Sequence, residues 1–169
     1  KVKKVVFAFV SLDFIPLEPY FREARQNGEI DTMEIDEGMM LLGLRAAAWG
    51  VPFIPTRIGL GTDLIKFNKD LKIIDSPYDD KEWVAMPALN LDVALIHVDR
   101  ADDRGVCQIK GPDLYMDDWF ARAAKTTIVS DCGSCNAKRR RGDFEALDVQ
   151  PATDQHRPPL VPRLAAADD

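Results

Sequence analysis

Asp36 and Glu37 stand directly ahead of an apolar helical run, and further on the chain turns through Gly59-Leu60-Gly61-Thr62 with Arg57 just before it. A carboxylate pair in that position has two physical readings. Asp36 can cap the helix while Glu37 sits where exposed N–H groups and the helix dipole favour negative charge, the commonest role for such residues. Alternatively, a carboxylate at the C-terminal end of a strand, opposite a glycine loop, can act on a carbonyl carbon while backbone N–H groups receive the developing oxyanion. Spacing leaves both open. The Gly59–Thr62 loop lacks the third glycine and the following helix of a dinucleotide fingerprint. Its N–H groups and the Thr62 hydroxyl suit a thioester or carboxylate oxygen, and Arg57 suits an acidic substrate, although an exposed loop arginine needs no such role.

Other reactive side chains are weaker candidates. Cys132 and Cys135 have half the spacing of a zinc site, but His97, Cys107 and His156 supply no second half, so no metal is expected. The thioredoxin-like setting of a redox pair is also missing. Lys138 to Arg141 is a basic run without interleaved aromatics, which reads as a solvated segment rather than a nucleic-acid site. His97 lies in an apolar run and is expected to be a satisfied core histidine. Asp99, Asp102 and Asp103 follow that run, either as a solvated loop or on the ligand-binding edge of a parallel sheet.

The elements that must position these groups alternate. Val5 to Val10 and Val93 to Val98 are continuous apolar runs, expected to be strands buried on both faces. Glu18 to Asn27 reads as a helix stopped by Gly28, Glu29 to Ile35 as a strand, and Gly38 to Trp49 as a helix stopped by Gly50 and Pro52. Phe53 and Ile54 form a short strand; Leu71 to Ile74 and Glu82 to Met86 form a hairpin through Pro77-Tyr-Asp-Asp80. Val106 to Ile109 is a further strand, Asp113 to Lys125 a helix, and Thr126 to Ser130 a strand. Such alternation predicts βαβ units and an α/β fold: an open, mostly parallel sheet with helices on both faces.

The 169 residues, 46% hydrophobic, suffice for one domain with a real core, and the net charge of −6 disfavours nucleic acid and anionic membranes. No apolar run reaches membrane-spanning length, and Lys1 to Lys4 leads into a strand rather than a signal peptide, so a soluble cytoplasmic protein with reduced thiols is expected. A chain that starts at once with a central strand predicts further material before Lys1. From Asp131 the sequence turns basic and proline-rich, with little to pack. The domain is therefore expected over 1–130, followed by a poorly ordered tail over 131–169.

Arg45-Ala-Ala-Ala-Trp-Gly-Val-Pro-Phe-Ile-Pro-Thr-Arg-Ile-Gly-Leu-Gly-Thr62 resembles the α-subunit pattern of class I CoA-transferases, as does Val84 to Gly105 with its apolar strand and charged loop. The resemblance covers about residues 1–130 and is greatest to the glutaconate CoA-transferase A-subunit branch. The Lys1-Val-Lys start, Phe9-Val-Ser-Leu-Asp13 and Ile35 to Met39 are similar to the branch that acts on CoA thioesters late in steroid ring degradation.

The resemblance implies an open α/β domain paired with a homologous β subunit, usually as α2β2, with coenzyme A thioesters as substrates at the subunit interface and no permanently bound cofactor. In ordinary transferases the nucleophilic glutamate belongs to the β subunit. In the steroid-ring branch it lies in the α subunit, in a segment like Asp36-Glu37-Gly38, and the reaction is hydrolytic opening of a cyclic ketone. The first expectation is thus a transferase α subunit, with Glu37 at or beside the reacting thioester and Arg57, Gly59, Leu60, Gly61 and Thr62 lining the pocket. A hydrolase that opens a cyclic diketone with Glu37 as catalytic carboxylate is the alternative. The family's glycine-rich N-terminal strand is absent and the tail after Ser130 is unrelated, so a truncated or frame-shifted, non-catalytic remnant is the third reading.

Overall fold

The computed structural model describes residues 2–10, 18–102, 105–110, 114–131 and 145–148. The two-cysteine motif at Cys132 and Cys135, the basic run, Asp103 and His156 lie outside them. The chain forms two compact units, Lys1–Gly43 with Phe53–Pro87, and Leu44–Pro52 with Ala88–Asp169.

In the first unit, β1 (Lys4–Phe7) leads through α1 (Pro19–Gln26) to β2 (Asp31–Glu34), which pairs parallel to β1 with Phe7 opposite Glu34. This is the expected βαβ unit. Glu18 accepts the Phe21 N–H at the start of α1, Pro19 takes the first helical position, and Gly28 at φ +69° closes the helix. There Gly28 N bonds Arg25 O (3.2 Å) and Glu29 N bonds Ala24 O (2.9 Å), the double bond pattern of a left-handed C-terminal stop. Helix α2 (Glu37–Ala48) ends the same way, with Gly50 at φ +68°, Gly50 N on Ala47 O and Val51 N on Ala46 O. Both glycine stops were legible in the sequence.

The next strands depart from a parallel sheet. β3 (Phe53–Thr56), β5 (Glu82–Pro87) and β4 (Lys72–Asp75) form an antiparallel sheet in the order β3-β5-β4. The reason is the short turn between β4 and β5, which can join only antiparallel strands, whereas a parallel connection needs a long crossover. The expected hairpin is present, with Lys72 opposite Ala85 and Asp75 opposite Glu82. A one-turn helix, α3 (Leu64–Phe67), precedes it and was not expected from the sequence. Met33, Ile35, Met39, Leu71, Val84 and Met86 make the buried core of this unit. Burial of each such large side chain contributes about 1.5–3 kcal/mol.

In the second unit β6 (Leu91–Val98) and β9 (Ala124–Asp131) pair parallel, joined through β7 (Arg100–Ala101), β8 (Val106–Ile109) and α4 (Asp117–Ala123). β8 lies between β7 and β10 (Glu145–Asp148) in a small antiparallel sheet. Ile96, Val98, Cys107 and Ala121 form the core, with Leu114, Phe120 and Val129 against them. The architecture is therefore mixed α/β with open sheets, as expected, but among the described residues these are small and divided into four, parallel and antiparallel, rather than one mostly parallel sheet. β6 also corrects the expectation of burial on both faces. It alternates, with Ala94, Ile96 and Val98 buried and Val93, Leu95 and His97 exposed, because a two-stranded pair has only one covered face among the described residues. His97 is accordingly not a core histidine: its Nδ1 lies 2.9 Å from the Ser130 hydroxyl across the strand pair.

Candidate active site

Glu37 is the first residue of α2, exposed, two residues beyond buried Ile35 at the end of β2. Asp36 caps the helix as expected: its carboxylate accepts the Gly38 N–H at 2.7 Å, and its carbonyl accepts Met40 N at 2.9 Å. Asp36 is held by the turn it stabilises, whereas the Glu37 side chain makes no hydrogen bond or ion pair among the described residues.

The Gly59 loop folds directly onto that entrance. A Cβ placed on Gly38 would lie 2.8 Å from Ile58 Cδ1, and one on Gly59 would lie 2.7 Å from Met39 Cε. A side chain at either position would force the Ile58 or Met39 terminus to shift, and Gly59 also has φ +85°, where side chains are disfavoured. The first turn of α2 and the Gly59 loop, far apart in sequence, are therefore packed together in one unit.

Several of the loop's donors are internally engaged. Leu60 N bonds Arg57 O (3.2 Å), and both the N–H and the hydroxyl of Thr62 bond Gly59 O, at 3.1 and 2.8 Å. Thr62 thus holds the loop shape with the very groups expected to meet a substrate. The N–H groups of Gly59 and Gly61 make no hydrogen bond among the described residues and remain available as donors. Arg57 is exposed where the loop leaves β3, and Leu60 is half-buried.

Two residues with no sequence signal fix the frame. Thr56 is buried, and its hydroxyl accepts the Ile58 N–H at 3.1 Å, turning the chain out of β3. Asn68, also buried, donates to Glu34 O at 2.9 Å and accepts Asp70 N at 3.2 Å. It thereby ties the end of β2, three residues before Glu37, to the turn after α3. The Lys4–Asp70 ion pair at 2.6 Å is exposed and adds little.

The acidic loop after β6 has a structural role. Asp99 accepts Lys110 N at 2.7 Å and so closes the open end of the β7–β8 pair, while Asp102 accepts Val106 N at 2.9 Å at its turn. Elsewhere in the second unit, the Trp119 ring faces the guanidinium of Arg45 at 4.7 Å and that of Arg122 at 5.8 Å. Partial burial raises the pKa of adjacent Asp118, against the opposing pull of Arg122 and Arg45. Among the described residues no three His, Cys, Asp or Glu side chains gather as a metal site would require, and no helix is long and apolar enough to cross a membrane.

The family model of coenzyme A transferases matches residues 1–131, and the chain belongs to that family. It is 45% identical over 137 residues to the IpdA subunit of the cholesterol ring-cleaving hydrolase of Rhodococcus jostii, covering 77% of this chain and 46% of that protein. It is 31% identical over 126 residues to the A subunit of the glutaconate CoA-transferase of Acidaminococcus fermentans, covering 65% of this chain and 39% of that one. The crystal structure of the latter enzyme superposes with a TM-score of 0.70 at 26% identity, over 76% of this chain and 45% of that one. The chain spans about half the length of the curated relatives it matches.

Proposed function

We propose that this chain supplies the catalytic carboxylate of a hydrolase that opens a carbocyclic ketone ring on a CoA thioester, in complex with a homologous β subunit. The observation that carries the reading is the contact of the Gly59 loop with the first turn of α2, beside Glu37. The higher identity to a ring-cleaving hydrolase subunit than to a transferase subunit supports this chemistry over acyl transfer, the first expectation from the sequence.

In this reaction Glu37, exposed at the helix entrance, takes a proton from water as the oxygen adds to a ring carbonyl of the diketone. The oxyanion meets the N–H groups of Gly59 and Gly61. Collapse re-forms the carbonyl as a carboxylic acid and breaks the ring C–C bond, and the carbanion, stabilised by its neighbouring ketone, takes the proton back from Glu37. One water is consumed and no acceptor is needed. Arg57, at the head of the loop, pairs with an anionic part of the substrate.

Similarity to the glutaconate CoA-transferase subunit favours a second reading, in which an acceptor carboxylate replaces water and this chain supports a nucleophile on its partner. The test is to co-express the chain with its β-like partner and supply a CoA thioester of a cyclic β-diketone, with and without acetate. Ring loss without acceptor, abolished by Glu37→Gln, is the expected result. CoA exchange that requires acetate and persists in Glu37→Gln refutes it in favour of the transferase. A chain that recruits no partner and consumes no thioester is the non-catalytic remnant.

A further inference from the structure

Ile58 links the Gly59 loop to the helix entrance. Its side chain lies on the bare backbone of Gly38, where an added Cβ would come within 2.8 Å of Ile58 Cδ1 and 3.1 Å of Asp36 Oδ1. Gly38 is the residue after Glu37, and its N–H is held by the Asp36 carboxylate at 2.7 Å, so this point of the entrance is fixed. On the loop side, the peptide that joins Ile58 to Gly59 carries the Gly59 N–H, one of the two loop donors without a bond among the described residues. The Ile58 N–H is itself taken by the buried Thr56 hydroxyl at 3.1 Å, which sets the backbone from which the side chain projects. Branching at Cβ restricts χ1, so the direction of the side chain is defined as well. One residue further along both segments, Gly59 faces Met39 Cε. Consecutive loop residues thus meet consecutive helix residues.

We propose that Ile58 is a positioning residue, a spacer whose contact with Gly38 sets the separation between the Glu37 carboxylate and the Gly59 N–H. This role rests on Glu37 as the reacting carboxylate. A carboxylate that moves a proton and a donor that receives the oxyanion must act on one carbonyl group together, and a displacement of about 1 Å in such an arrangement can cost about 10²-fold in rate. Ile58 is placed to hold that separation, because a single side-chain contact joins the donor peptide to the residue after Glu37. The parallel contact, Met39 against Gly59, belongs to the fully buried core and serves stability. Ile58 is instead 36% exposed, so trimming it surrenders little buried area, and its effect on rate can be read apart from its effect on folding.

The experiment uses the complex of this chain with its partner and the CoA thioester of a cyclic β-diketone, with kcat, KM and the urea midpoint measured for each variant. Ile58→Val, which lacks Cδ1, should lower kcat about tenfold and Ile58→Ala about a hundredfold, with KM changed less than about twofold and the midpoint nearly unchanged. Gly38→Ala lies within α2, where alanine is otherwise favoured, yet it drives a methyl against Ile58 Cδ1 and should lower kcat about tenfold. Combined with Ile58→Val it should recover, because the methyl added on the helix takes the place of the one removed from the loop. In a Glu37→Gln background Ile58→Ala should cost nothing further, since no reacting carboxylate is left to place. The inference is overturned by wild-type kcat in both Ile58 variants, by losses confined to KM or the midpoint, by additive losses in the Gly38 and Ile58 pair, or by a full further loss in the Glu37→Gln background. Ring opening undiminished by Glu37→Gln refutes the proposed reaction and this role with it. Ring opening lost in Glu37→Gln but intact in the Ile58 variants refutes this role alone.

Discussion

Substitution of Gly59 by alanine tests whether the loop and the start of α2 are packed as tightly as the structure places them. Two costs arise. The left-handed backbone at φ +85° disfavours a residue with a Cβ by about 1–2 kcal/mol. The new methyl would lie 2.7 Å from Met39 Cε, and Met39 is completely buried, so its flexible end has little room to retreat. Such overpacking costs about 1–3 kcal/mol. The reduced freedom of the unfolded chain offsets about 0.4–1 kcal/mol of the total. The net expectation is a destabilisation of about 2–3 kcal/mol, from the same backbone and packing terms. Gly61→Ala is the internal control: φ is +78°, but nothing lies within 4 Å of its added Cβ, so only the backbone cost applies. Its net loss should be about 1 kcal/mol or less. Met39→Leu removes the terminal methyl at small cost, and combined with Gly59→Ala should recover about 1 kcal/mol, the steric share. Urea unfolding followed by circular dichroism reads all four variants. Equal losses for Gly59→Ala and Gly61→Ala, with no coupling to Met39, would refute close packing of the loop on the helix.

Four further outcomes are expected. Glu37→Gln should reduce ring opening by a factor of about 10²–10⁴, the usual loss of a general base, with an unchanged unfolding midpoint; steady-state kinetics and a melt check both. Asn68→Ala strands the Glu34 carbonyl and the Asp70 N–H, and should cost about 1–3 kcal/mol in urea unfolding and lower kcat through the loosened end of β2. Thr56→Val keeps shape but removes the acceptor of Ile58 N, for a loss of about 1 kcal/mol in the same assay. Burial raises the folded-state pKa of Asp118 above its unfolded value, so the penalty for its charge is absent below the ordinary carboxylate range and complete above the raised pKa. Asp118→Asn should therefore stabilise the chain at about pH 7 and have no effect at about pH 3, as thermal melts at the two values would report.

By itself the sequence determined the local punctuation and the candidate chemistry. The stops at Gly28 and Gly50, the cap at Asp36, the β4–β5 hairpin and the strand–helix alternation are written in residues whose backbone preferences act within a few positions. Glu37 and the Gly59 loop were recognisable as chemically able groups for the same reason. The packing of that loop on the first turn of α2 was a tertiary fact, with Ile58 against Gly38 and Met39 against Gly59. The structure also reassigned roles that periodicity could not see. Thr62 closes its own loop, Asn68 holds the end of β2, and His97 faces outward because apolar runs do not reveal how many strands will cover them. Long-range neighbours depend on which surfaces close over one another, and no local pattern encodes that.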